Sequence, residues 1–129
     1  MKKIYNSINA PSAVGPYSQA VGDKGLIFIS GQIPIDPETE KIIIGDIKEQ
    51  TIQIMKNIGS ILKDAGMDYE HILKTTIYLK DINDFKAMNE AYAGFFADNF
   101  PARAAFQVSA LPLGAMIEIE AIASPDGTA

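Results

Sequence analysis

Residues 25–31, Gly-Leu-Ile-Phe-Ile-Ser-Gly, place apolar side chains on both faces of an extended chain. A run of β-branched and aromatic residues bounded by glycine favours a strand. Side chains alternate along a strand, so Leu26 and Phe28 point one way and Ile27 and Ile29 the other. Both faces of the sheet are therefore expected to be buried. What covers them must be helices of this chain or a second copy of it.

Two helices are legible. Asp46 followed by Glu49 is a capping-box pattern that opens the first. Ile47, Ile54, Met55, Ile58, Ile61, Leu62 and Ala65 recur at helical spacing, and Gly66 is a stop signal. Gly59 costs about 1 kcal/mol against alanine inside a helix and marks close packing on a sheet. Asp81 or Asn83 caps the second helix, which carries Phe85, Met88, Tyr92, Phe95 and Phe96 as a core stripe and stops before Phe100-Pro101. Further strands are expected over 73–80, 102–108 and 116–123. The last two, joined by a short loop, are expected to pair as a hairpin. Residues 124–129 are expected to fray.

With 129 residues, no linker and no internal repeat, the chain reads as one domain spanning 1–129. The inventory is an α/β (α+β) sandwich, a mixed β-sheet with two helices packed on one face. Two helices cannot cover both faces. The other face is expected to meet another subunit, because large exposed apolar patches are uncommon in monomers.

Composition narrows the chemistry. The chain has no cysteine, which excludes disulfides, thiolate nucleophiles and zinc–thiolate sites. Its single histidine, His71, lies in the polar stretch Asp68-Tyr69-Glu70-His71 and reads as a surface residue. Carboxylates show no calcium-loop spacing, so no metal is expected. No run approaches the ~18 apolar residues of a membrane span. Met1-Lys2-Lys3-Ile4 lacks the apolar core of a secretory signal, so a cytoplasmic protein is expected. The net charge of −5, with no basic run beyond Lys2-Lys3, counts against nucleic-acid binding.

Alternation places Arg103, Ala105 and Gln107 on one face of their strand, and Glu118 and Glu120 together on theirs. In a hairpin, Arg103 and the glutamates become neighbours. A guanidinium fork can grip a ligand carboxylate bidentately. A glutamate kept ionised beside it can accept a proton from water. A cross-strand salt bridge or a solvent-facing pair fits the same spacing, and spacing alone leaves these readings open.

Asn9-Ala10-Pro11, Gly15-Pro16-Tyr17-Ser18-Gln19-Ala20, Ile29-Ser30-Gly31-Gln32-Ile33-Pro34, residues 80–85 (Lys-Asp-Ile-Asn-Asp-Phe), Asn89, Phe100-Pro101-Ala102-Arg103 and the stretch from Leu111-Pro112 to Ala123 occur in order along nearly the whole chain. In these motifs the sequence resembles the reactive-intermediate deaminase family, and within it the RidA subgroup. The resemblance implies a chorismate-mutase-like fold and a homotrimer with active sites between subunits. It implies no cofactor. The substrates implied are 2-iminopropanoate and 2-iminobutanoate, which arise when dehydratases act on serine or threonine and which hydrolyse to a 2-keto acid and ammonia.

By motif position, the resemblance gives Arg103 the substrate carboxylate and Glu118 the attacking water. Tyr17, Ser30 and Gly31 match positions that line the pocket, and Asn89 matches a further family position. Each has a structural alternative: a packing aromatic, a turn hydroxyl, a strand terminator, a hydrogen bond behind the site. Many RidA proteins carry cysteine where this chain has Ala105, so no thiol can act here, although the Ala105 amide can still orient a carboxylate. Two other classes fit the same motifs: a non-catalytic regulator that binds small carboxylates such as 2-oxobutanoate or serine, and an endoribonuclease or translation inhibitor.

Overall fold

A computed structural model of the protein describes residues 1–125. Of the tail expected to fray, residues 126–129 lie outside the described residues. Eight strands and two helices follow in the order β1 (Lys3–Tyr5), β2 (Ala20–Asp23), β3 (Leu26–Gln32), β4 (Ile35–Asp36), β5 (Lys41–Ile42), α1 (Ile47–Asp64), β6 (Ile72–Leu79), α2 (Phe85–Ala93), β7 (Ala102–Gln107) and β8 (Ile117–Ala123). Six strands form one sheet in the order β1-β2-β3-β8-β6-β7, and β4–β5 is a separate small hairpin. No helix of the described residues is long and apolar enough to cross a membrane.

The capping box forms as expected. Glu49 N donates to the Asp46 carboxylate at 2.9 Å, and Asp46 N donates back to Glu49 Oε1 at 3.2 Å. Ile54, Met55, Ile58, Ile61 and Leu62 are fully buried against the sheet, each worth about 1.5–3 kcal/mol of burial. Gly66, at φ +75°, turns the chain out of the helix. Gly59 has a different reason from the expected one. It faces Tyr69, whose ring carbon Cζ would lie 2.8 Å from an added Cβ and whose hydroxyl donates to Met55 O at 2.8 Å.

Asp81, not Asn83, caps the entry to the second helix, by accepting from Asn83 N at 2.9 Å across a single 3-10 turn. α2 ends at Ala93, so Phe95 and Phe96 pack from the segment beyond it. Tyr92 stacks tilted on Phe96 with centroids 5.0 Å apart, and Tyr69 meets Phe95 at 5.3 Å.

The expected β7–β8 hairpin does not form. β6 lies between them, antiparallel to β8 and parallel to β7. Two forces override the short loop. The segment from β6 through α2 to β7 is a helical crossover, which returns the chain parallel beside the strand it left. β8 is the more apolar of the two, with Ile117, Ile119, Ala121 and Ala123 buried, and takes the interior of the sheet. The small and polar residues of β7 are left at the edge.

Both helices pack on one face, as expected. The other face is open in the single chain: Phe28 is 45% exposed and Phe106 46% exposed, whereas Ile27 and Ile29 are buried. Within one chain the strand 25–31 is therefore buried on its helix side, and its open side is the one expected to meet a second copy.

Candidate active site

The open face carries the acids. β8 directs Glu118 and Glu120 away from the helices, and across the ladder Glu118 is paired with Tyr78 and Glu120 with Thr76. Beside them β3 bulges. Ile29 pairs with Ala121 and Gln32 with Ile119, so Ser30 and Gly31 together oppose Glu120. A bulge bends its strand and re-aims the residues within it. Here it presses Gly31 against Glu118, where an added Cβ would lie 2.9 Å from Cδ of the glutamate. Only glycine leaves room for that carboxylate.

The two glutamates differ in what they touch. Glu120 accepts a hydrogen bond from Tyr78 Oη at 2.5 Å. That bond is the main reason the Tyr78 hydroxyl is pushed up to about 12, with burial second. Glu118 receives no hydrogen bond among the described residues. Burial raises its carboxyl above the usual range, and the charge of Glu120 adds to the shift. A half-buried carboxylate with free lone pairs suits a base that holds water. It opens on a cleft of about 600 Å³ lined by Ser12, Tyr17, Ser30, Gly31 and Leu113 among others. Leu113 holds a left-handed conformation at φ 55°, a strained geometry that clusters at ligand sites.

Arg103 lies elsewhere. It pairs with Thr75, on the helix-covered side of the sheet. Its Nη1 donates to Asn89 Oδ1 at 2.7 Å, and its guanidinium sits 5.4 Å from the Phe85 ring and 5.3 Å from the Tyr92 ring. Phe85, Asn89 and Tyr92 are spaced four and three apart, so one face of α2 presents all three. Tyr92 is held in turn by a 2.7 Å hydrogen bond with Thr75. Burial raises its hydroxyl, partly offset by Thr75 and by the nearby Arg103 charge. Among the described residues no carboxylate lies within ion-pair distance of Arg103. The cross-strand salt bridge within one chain is therefore excluded. What remains is an oriented, unpaired cation at a cavity of about 440 Å³ lined also by Phe100 and Pro101.

Arg103 and Glu118 therefore face opposite sides of the sheet, with β6 between their strands. The single shared cleft expected from hairpin alternation is absent from one chain. Within one chain the two sit apart, each among its own partners.

The sequence profile of the endoribonuclease L-PSP family matches residues 7–124. The chain belongs to that family. A human relative, named 2-iminobutanoate/2-iminopropanoate deaminase, is 50% identical over 123 residues, covering 95% of this chain and 90% of the relative. YyfA of Yersinia pestis, a solved structure of the Rid family, superposes with a TM-score of 0.94 at 47% identity, covering 96% of this chain and 99% of that one. TdcF of Escherichia coli, solved with bound serine, superposes with a TM-score of 0.90 at 39% identity, covering 95% and 98%. The fold expected from the motifs is thus the Rid fold.

The other motif residues divide between the two half-sites. Tyr17, 50% exposed, and the Ser30–Gly31 bulge line the Glu118 cleft. The Ser30 hydroxyl is spent structurally, donating to Ser18 O at 2.6 Å. Asn89 belongs to the Arg103 half, where it orients the guanidinium. Ala105 follows Arg103 on the same face of β7, paired with Ile77 and packed against the core. Sequence reasoning overlooked Tyr78, which separates the roles of the two glutamates. Its strand mixes apolar residues with Lys74, Thr75 and Thr76 and alternates unevenly, so nothing marked its hydroxyl as the partner of an acid. It also overlooked Gln50, which is buried and accepts from Met116 N at 3.0 Å, anchoring the start of β8 two residues before Glu118.

Proposed function

We propose that this protein hydrolyses 2-imino acids, 2-iminobutanoate and 2-iminopropanoate among them, to 2-keto acids and ammonia, at sites that two copies of the chain build together. The carrying observation is that a carboxylate-free, aromatic-flanked Arg103 and a desolvated Glu118 occupy opposite faces of one sheet. Arg103 of one copy meeting Glu118 of another makes a whole site. The exposed Phe28 and Phe106 supply an apolar face for such an assembly. A homotrimer with three equivalent clefts is the assembly proposed. The name of the human relative and the serine held by TdcF support a small amino-acid-like ligand.

In the mechanism that follows from this, Arg103 binds the substrate carboxylate and fixes C2. Glu118 takes a proton from water as the oxygen adds to C2, forming a tetrahedral carbinolamine. Glu118 returns that proton to the nitrogen. The C–N bond then breaks as the hydroxyl proton passes through Glu118 to the departing nitrogen, leaving the keto acid and ammonia. Water is the nucleophile, so Ala105 in place of a cysteine removes nothing the reaction needs. Positioning supplies much of the acceleration.

The direct test couples a threonine dehydratase to this protein, with semicarbazide competing for the transient imine. Faster 2-oxobutanoate formation and less semicarbazone are expected. An unchanged partition contradicts catalysis and favours a carboxylate-binding regulator, a reading that the bound serine of TdcF also fits. The net charge of −5 argues against RNA as the substrate.

The pH profile carries a second prediction. Glu118 must be ionised to act as a base, and its carboxyl is raised, so activity is lost as pH falls through a value above the ordinary glutamate range. Glu120→Gln keeps an acceptor for Tyr78 but removes the neighbouring charge. The acid limb of kcat/KM is expected to move to lower pH in that variant. A limb that stays in place or moves upward contradicts the assignment of Glu118 as the titrating base.

A further inference from the structure

Gln19 lies two residues after Tyr17, and the mechanism gives it no task. It is only 2% exposed. Residues 7–11 follow an irregular path with Pro11 at their end, so their backbone groups have no strand ladder to join. Buried backbone polar groups need partners. The Gln19 carboxamide supplies them from both its ends. Its Oε1 accepts from Ser7 N at 2.6 Å. Its Nε2 donates to Ser7 O at 3.0 Å and Pro11 O at 2.8 Å, with Ala10 O at 3.5 Å.

The main chain of the same residue is tied on the other side. Gln19 O accepts from Ser30 N at 2.9 Å, and the adjoining Ser18 O accepts from the Ser30 hydroxyl at 2.6 Å. One residue thus joins the bulge that bears Gly31 to the loop 7–17. That loop sends Pro11, Ser12, Val14 and Tyr17 to the Glu118 cleft. Its other hydrogen bonds among the described residues, Asn9 N to Ser7 Oγ and Tyr17 N to Gly15 O, lie within the loop itself.

We propose that Gln19 is a positioning residue whose carboxamide holds the loop 7–17 in the conformation that forms the substrate cleft. Its kinetic consequence rests on the deaminase reading; its structural consequence does not. A loop that is closed only part of the time lowers the binding-competent fraction, and apparent affinity falls by that fraction. Saturating substrate restores the closed form. KM therefore rises while kcat is kept. A residue needed only for folding behaves in the opposite way, because lost folded enzyme lowers kcat and leaves KM unchanged.

Gln19→Met matches the length of the side chain and removes the amide. It is expected to raise KM for 2-iminobutanoate about tenfold or more with kcat within about twofold of the parent. The Ser7 and Asn9 amides should exchange faster in deuterium while α1 amides stay protected. Ile61→Val, a core change of modest cost, serves as the stability control and should keep the parental KM. Gln19→Glu keeps the acceptor for Ser7 N and loses both donors, and should raise KM likewise if Gln19→Met folds poorly. An unchanged KM, a fall in kcat at unchanged KM, or unaltered exchange at Ser7 overturns the proposal. If the parent itself fails to hydrolyse the imine, the deaminase reading falls. The same variants are then compared for 2-oxobutanoate binding, where about tenfold weaker affinity supports the loop's role and equal affinity overturns it.

Discussion

Arg103→Ala is expected to lose about 10³-fold or more of kcat/KM on 2-imino acids, the cost of leaving a buried substrate carboxylate without its charged partner. The loss should appear in KM as well as kcat, because the guanidinium contacts the carboxylate in ground and transition states alike. Folding should survive. Arg103 is exposed on an edge strand, and its one side-chain hydrogen bond among the described residues, to Asn89, is an outer contact. A melting temperature near the parent's separates loss of the ligand contact from loss of structure. Arg103→Lys should restore only part of the activity, since a point charge cannot reproduce the planar fork or its stacking between Phe85 and Tyr92. Parental kinetics in Arg103→Ala would move carboxylate recognition to another residue.

The second large effect belongs to Glu118→Gln. The amide fills the same space beside Gly31 and cannot take a proton. A fall of about 10²–10⁴-fold in kcat is expected, the usual contribution of a general base, with KM little changed. The two variants should therefore differ in kind. Arg103→Ala weakens binding and turnover, while Glu118→Gln spares binding and slows the chemistry. Glu120→Gln, at a carboxylate already engaged by Tyr78, should retain most of the activity at neutral pH. If Glu120→Gln instead abolishes turnover and Glu118→Gln does not, the two glutamates must exchange roles.

Local signals in the sequence were dependable where one segment decides its own structure. The Asp46–Glu49 box, the stripe from Ile47 to Leu62 and the Gly66 stop describe α1 closely, because capping and helical period act within a few residues. Alternation also assigned faces correctly inside each strand: Arg103 with Ala105 and Gln107, Glu118 with Glu120. It did not say which face of β7 lies beside which face of β8, since that depends on strand order. The crossover through α2 decides that order, and a short connecting loop misled. β1, β2 and the β4–β5 pair are too short and mixed to show a period. Arg103 and Glu118 were legible as candidates through the family motifs. Their separation onto opposite faces was not, and it is the separation that makes the proposed site one for two chains. Gln19 illustrates another gap. A buried amide serving an irregular loop leaves no periodic trace, so only coordinates reveal it.

The claim that one site needs two chains is tested by mixing defects. Arg103→Ala and Glu118→Gln are each expected to be nearly inactive alone. If the Arg103 half of one copy meets the Glu118 half of another, mixed assemblies contain sites that inherit both intact residues. Co-expression of the two variants in equal amounts should recover about a quarter of parental activity for random mixing in a closed ring. Activity that remains at the level of the separate variants, in assemblies shown to contain both chains, would contradict the shared site.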